Sequence, residues 1–316
     1  MSNLTKIKES ALPHIKEKIL FSEDGNTFLI TMSQAGATLN MQDNYAAFEA
    51  WALVAKAAGY ERVLLSESEQ TEEMQGIEKL HYNRFLYRVS CFQKGFEWFS
   101  VSDGLQNKIG KFENTELKQR LYINAPLSEP KVPDEKSHEA VMEMLLTQDK
   151  NRNLLNSLLG TSIKQFYQQL PVGLFGERVI TANAIFPSDK AAIDIWGLDG
   201  KTFHLIELKV RDNQDLGVLS EVFFYACFIK DMICCRHLER EKPADLQKKQ
   251  YQKDGEFYRG YPKLVEANID SVVAYILTER KHGKLDDAFA ELIKCKIKGI
   301  EFAKAICHPL FEAVER

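Results

Sequence analysis

Asp194, in the stretch AAIDIWGL, and Glu207 and Lys209, in TFHLIELKV, are the side chains whose types and spacing could do chemistry. The run FHLIELKV reads as a buried strand, and burying either of its charges unpaired costs several kcal/mol. A Glu/Asp-x-Lys triplet carries no weight alone, since it recurs at Glu116/Lys118, Asp134/Lys136, Asp199/Lys201 and Glu279/Lys281. The setting of Glu207 and Lys209 is different. Two alternating strands meet at LDGK, where Asp199-Gly200 is a favoured two-residue hairpin turn. That turn sets Leu198 opposite Lys201 and Asp194 opposite Leu205, one diagonal step from Glu207. Alternation then places residues 194, 203, 205, 207 and 209 on one face. Diagonal neighbours lie about 7–8 Å apart, close enough for two carboxylates to meet on one ion.

Carboxylate oxygens are hard ligands suited to Mg²⁺, which keeps several waters and accepts phosphate oxygens as its other ligands. A metal held there acidifies a water and screens charge growing on phosphorus. A neighbouring lysine can orient that water or stabilise the transition state. A buried ion pair without chemistry is the competing reading of the same residues.

The elements around the hairpin decide between the two. From about residue 137 the order is helix, three strand-like stretches (RVITANAIF, AAIDIWGL, TFHLIELKV), a helix over 215–235 and a strand, SVVAYILT. Ser137 is the expected cap of the first helix, with helix continuing to about residue 170. Hairpin strands followed by a helical crossover imply a mixed α/β sheet covered by helices. In the helix LSEVFFYACFIKDM, Glu221 and Tyr225 lie one turn apart on the same side.

The first 125 residues read as a small α+β unit. TFLITM and the run after it suggest two strands turning at SQAG, and Asp43 is the expected cap of a helix ended by Gly59. ERVLL reads as a strand, with FLYRVSCF and FEWFSVS as a hairpin across Lys94-Gly95. Residues 126–136, with Pro126, Pro130 and Pro133 across this stretch, form the expected linker between domains 1–125 and 137–316.

The set Asp194–x12–Glu207-Leu208-Lys209 on a hairpin framed by helices resembles the PD-(D/E)XK nuclease superfamily, over about residues 137–280. The resemblance implies a restriction-endonuclease-like mixed sheet flanked by helices. Asp194 and Glu207 would bind Mg²⁺, with Mn²⁺ as a substitute, the Leu208 carbonyl would be a further ligand, and Lys209 would be catalytic. Glu221 and Tyr225 look like the Gln-x-x-x-Tyr motif of RecB-like members, with glutamate in place of glutamine, a departure that weakens the substrate-positioning role and would add a metal ligand. A helix glutamate reaching to solvent is the other reading of Glu221. Many members carry an acid on the first core helix. Glu139, which shares a stripe with Met142 and Leu146, is favoured over its competitor Glu143. Asp189, after Pro187, has the wrong parity for the face of Glu207, and His204 alternates to the opposite face as a packed core residue.

Residues 236–261 interleave Arg236, Arg240, Lys248, Lys249, Lys253 and Arg259 with four aromatics. Cations can touch phosphates while aromatic faces stack on bases, although five acids in the same stretch fit a solvated loop as well. The net charge of −4 gives no global field toward nucleic acid, so any basic surface is local.

The six cysteines lack metal spacing and read as reduced, which points to the cytoplasm. The N-terminus lacks an apolar leader. The apolar stretch 216–233 is broken by Glu221, Lys230 and Asp231 and is too short to span a bilayer. The expectation is therefore a cytoplasmic Mg²⁺-dependent nuclease, acting on DNA before RNA, with no membrane partner and with a homodimer open to it. The alternatives are a non-catalytic nucleic-acid-binding module of the same fold, or an effector gated by a ligand- or partner-sensing N-terminal domain.

Overall fold

The computed structural model describes residues 3–10, 17–69, 73–123, 137–187, 191–209, 216–234, 252–253, 256–257, 260–279 and 283–307. It is a mixed α/β structure. After α1 (Asn3–Ser10), β1 (Ile19–Asp24) and β2 (Thr27–Met32) pair antiparallel through Gly25, whose φ of +56° suits glycine. The hairpin thus lies one strand earlier than expected. SQAG instead starts the short helix α2 (Gln34–Ala37), with Ser33 Oγ accepting from the Gly36 amide. Next come α3 (Phe48–Ala57), β3 (Arg62–Glu67), α4 (Gly76–Gly95), β4 (Phe99–Val101), α5 (Asp103–Thr115) and β5 (Leu121–Ile123). The first four strands make a sheet in the order β1-β2-β3-β4, with β3 and β4 added in parallel.

FLYRVSCF, expected as a hairpin strand, is the middle of α4. Every residue from Phe85 to Phe92 is buried there. A helix enclosed on all sides loses its polar stripe, and an aromatic, β-branched composition then imitates a strand. The helix expected from Asp43 starts only at Phe48. Asn44 is engaged elsewhere: its carbonyl accepts from the Trp51 indole and its side chain from the Gly217 amide.

The second half opens with α6 (His138–Leu146) and α7 (Arg152–Leu159), then β6 (Phe166–Pro171), β7 (Leu174–Gly176), β8 (Ala192–Asp199), β9 (Thr202–Lys209) and α8 (Gly217–Ile229). Ser137 precedes α6 without a side-chain capping bond. The expected helix up to residue 170 gives way to β6, whose Pro171 is tolerated because β6 is the edge of its sheet. The expected strand 178–186 contains a 3₁₀ turn at Thr181–Asn183, with Val179 and Ile180 exposed. Two-residue strands β10 (Gln252–Lys253) and β11 (Glu256–Phe257) pair with each other, and β12 (Ser271–Thr278), a helix Gly283–Leu292 and β13 (Ile300–Ile306) complete the described chain.

The larger sheet has the order β13-β12-β9-β8-β6. β6, β8 and β9 are antiparallel, and β12 joins β9 in parallel. That parallel step needs a crossover, and α8 supplies it. Met142, Leu146 and Leu155 of α6 and α7 pack against Ile195, Ile206 and Leu208 on one face. α8, buried along its whole length, covers the other face and meets α3 and α4 on its far side. The apolar core is therefore continuous from Phe28 and Trp51 through Phe223 to Phe203, and β5 pairs with β7 across the same boundary. The expected linker 126–136 lies outside the described residues. No helix among the described residues is long and apolar enough to cross a membrane.

Candidate metal-binding carboxylate site

The β8–β9 hairpin pairs Asp199 with Thr202, so Gly200-Lys201 form the loop. Gly200 alone has positive φ (+59°), as a II′ turn requires, because lysine at the second position cannot easily supply the second positive φ of a I′ turn. The loop thus sits one residue later than the sequence suggests, and every facing pair shifts by two. The parity survives. Continued past its last pair, Ile195–Ile206, this register puts Asp194 directly across from Glu207 rather than one diagonal step away.

The strands part at that point. The Leu208 amide donates to Asp194 Oδ2 (3.0 Å), and the Asp194 amide lies 3.4 Å from Glu207 Oε1. An extended residue turns its N–H and C=O to the same neighbour, so the Leu208 carbonyl faces the site as well. On the other side of β8, Gln169 would pair with Asp194 but leaves the ladder with φ +51°, a costly conformation for a non-glycine residue. Its amide donates to Glu143 Oε2 (2.6 Å) and reaches within 3.5 Å of Asp194 Oδ1.

α6 brings both of its glutamates here. One oxygen each of Glu139, Glu143 and Asp194 lie within 4.8 Å of one another. Lys209 Nζ stands 3.5 Å from Glu139 Oε1 and 3.6 Å from Glu221 Oε2. The Tyr225 hydroxyl is buried one turn further along α8 and has no hydrogen-bond partner among the described residues. Glu207 and Glu221 are sealed (1% and 3% exposed), whereas the Glu139 side chain, at 31%, forms the open rim.

Five carboxylates (Glu139, Glu143, Asp194, Glu207 and Glu221) thus share one lysine, and their electrostatics show the excess. Burial, then the Asp194 charge, push Glu143 up to about 8. Burial raises Asp194 to about 6 against the pull of Lys209. Glu207 lies well above the usual carboxylate range through burial and through Asp194 and Glu221. Burial depresses the Lys209 ammonium, but Glu221, Asp194, Glu207 and Glu139 outweigh it and raise its pKa. The unfilled demand is for positive charge. Oxygens around one octahedral Mg²⁺ lie about 3–4 Å apart, so a small closure of Glu139, Glu143 and Asp194 suits that ion, and a set made only of oxygens favours hard cations over softer metals.

Compared with models of protein families, with curated proteins and with solved structures, the chain matches none.

Of the residues singled out from sequence, Asp194, Glu207, Lys209, Glu221, Tyr225, Glu139 and the Leu208 backbone come together. Glu143 joins Glu139 instead of competing with it, because one helical turn separates them on the face turned to Asp194. His204 stacks on Tyr275 on the opposite face, its Nδ1 3.3 Å from the hydroxyl. Arg236, Lys248, Lys249 and Arg259 lie outside the described residues, and Lys253 is described only as backbone in β10. Gln169 was not legible as a site residue, since nothing in its sequence context signals a left-handed backbone.

Proposed function

We propose that the chain is a Mg²⁺-dependent nuclease hydrolysing phosphodiester bonds, DNA before RNA, on a restriction-endonuclease-like core. The observation that carries this reading is the cluster at the parting of β8 and β9. Three carboxylates are spaced for one hard cation, with Glu207 and a charged lysine beside them. The succession α6, β6, β8, β9, α8, β12 supports the same reading, being a helix, three antiparallel strands, a crossover helix and a parallel strand.

Glu139, Glu143 and Asp194 would hold the ion, with Glu207 and the Leu208 carbonyl at its side. The chemistry a bound Mg²⁺ supplies is acidification of a water and screening of the charge growing on phosphorus. Lys209, kept protonated between Glu139 and Glu221, orients the attacking water and offers its charge to a phosphoryl oxygen. The Tyr225 hydroxyl is a spare buried donor beside the same acids. Residues 236–261, which follow the π-helical turn Lys230–Cys234 closing α8, are the proposed contact to the nucleic-acid backbone.

Incubation with single- and double-stranded DNA and RNA, in Mg²⁺, Mn²⁺ or EDTA, tests the reading. Cleavage that needs metal and stops with EDTA is expected. Retention of nucleic acid without cleavage in either metal would make this a binding module instead.

Divalent metal should also raise the melting temperature, because a ligand bound only by the native state stabilises it by mass action. Asp194→Asn keeps an acceptor for the Leu208 amide but removes a ligand charge, so its fold should persist while the metal-induced rise disappears. An unchanged rise in this variant would place the metal elsewhere.

A further inference from the structure

Glu221 is held from outside the nuclease-like half. Gln42, in the loop before α3, donates through Nε2 to Glu221 Oε1 (2.6 Å), which leaves Oε2 for Lys209. Gln42 is itself oriented. Its Oε1 accepts from Asn40 Nδ2 (2.6 Å), and Asn40 Oδ1 accepts from Arg84 Nη2 (2.9 Å) on α4. A guanidinium at one end and a carboxylate at the other leave each amide only one usable orientation, since a flip would face donor to donor or acceptor to acceptor. Arg84 is buried, and among the described residues it forms no ion pair with a carboxylate, unlike Arg88 one turn on, which is paired with Glu49. The loop is seated closely. A Cβ at Gly217 would run into the Gln42 backbone carbonyl, and Asn44 Oδ1 accepts from the Gly217 amide (3.1 Å).

We infer that the Arg84–Asn40–Gln42 chain of the N-terminal unit positions Glu221 and, through it, Lys209, so that the carboxylate site is composite and incomplete without these three side chains. This rests on the proposed metal site and assigns Gln42 as a positioning residue. Lys209 is shared between Glu221 and Glu139, and Glu139 belongs to the set spaced for a cation. With Glu221 pinned, Lys209 is drawn away from the metal set. Once Glu221 is released, the ammonium can move fully onto Glu139 and compete with the metal there. Gln42 itself is exposed, so replacing it breaks hydrogen bonds without opening a cavity in the core.

The test uses the whole chain as wild type, Gln42→Leu, Gln42→Glu and Tyr87→Phe. It reads the Mg²⁺ concentration for half-maximal rise in melting temperature, together with kcat and KM where cleavage occurs. Gln42→Leu should raise the half-saturating Mg²⁺ and lower kcat by about tenfold, the low end for an outer partner of a metal site, with KM unchanged. Gln42→Glu should behave the same way above neutral pH and recover as the pH falls, because a protonated carboxyl can donate to Glu221 as the amide does. Tyr87→Phe, which loses the hydrogen bond from α4 to Asp231 beyond α8 and leaves the Gln42 loop alone, should lower the metal-free melting temperature and leave half-saturation and kcat at wild-type values. A Gln42→Leu protein with wild-type half-saturation, or a Tyr87→Phe protein as impaired as Gln42→Leu, would overturn the assignment. If wild type shows the metal-dependent rise but no cleavage, the nuclease reading falls and the Gln42 comparison still decides this one. If it shows neither, both fall.

Discussion

Lys209→Ala is expected to lose about 10²–10³-fold in turnover while the Mg²⁺-loaded protein stays folded. In the folded chain Lys209 is the only cation within ion-pairing distance of Glu139 and Glu221 among the described residues. Without metal, its removal takes the ion-pair partner from Glu139 and from buried Glu221, and stranding a buried carboxylate costs about 3–5 kcal/mol. With metal bound, most of that loss should return, because the ion replaces the missing charge. Melting curves in EDTA and in Mg²⁺, beside single-turnover cleavage at saturating metal, separate the two effects. A variant unstable in both conditions would make Lys209 structural. A well-folded variant cleaving at the wild-type rate would remove it from the chemistry.

The second large effect is a stability that falls as the pH rises. Glu143 and Asp194 are raised from 4.5 to about 8 and from 3.8 to about 6, and burial raises Glu207 well above its ordinary range. A carboxyl whose folded pKa exceeds its unfolded value binds more protons when folded. Its contribution is therefore fully present below the unfolded pKa, near pH 4, and is lost as the pH climbs through the folded one. Lys209 stays protonated across this window and adds no slope. The metal-free protein should thus lose several kcal/mol between pH 5 and 8.5, each pKa unit crossed by one of these groups being worth about 1.4 kcal/mol. Metal binds the deprotonated ligands, so the increment it adds should grow over the same range and flatten the profile. Thermal melts in EDTA and in Mg²⁺ across that range check both slopes. A metal-free melting temperature that does not change from pH 5 to 8.5 would contradict the geometry of the cluster.

Much of the second half could be read before its structure was known, because period and parity are local properties. Alternation in AAIDIWGL and TFHLIELKV places Asp194, Glu207 and Lys209 on one face whichever two-residue loop is used, since a shift of two preserves parity. The crossover helix and the strand SVVAYILT follow from an apolar run of helical length and a β-branched run. Local pattern failed where burial erased it. Phe85–Phe92 of α4 imitates a strand because it is enclosed on all sides, and β6 carries little strand signal because it is an edge strand with polar residues and a terminal proline.

The chain by itself determined which residue types stand near one another along β8, β9, α6 and α8, and therefore the kind of chemistry open to them. Only the tertiary structure decided that Asp194 faces Glu207 directly, that Glu139 and Glu143 serve together, and that Gln169 turns out of its ladder to meet them. It alone brought Gln42 against Glu221, 179 residues away in sequence. Hydrogen bonds between distant segments depend on how two units pack, and periodicity within one segment carries no record of a surface supplied by another.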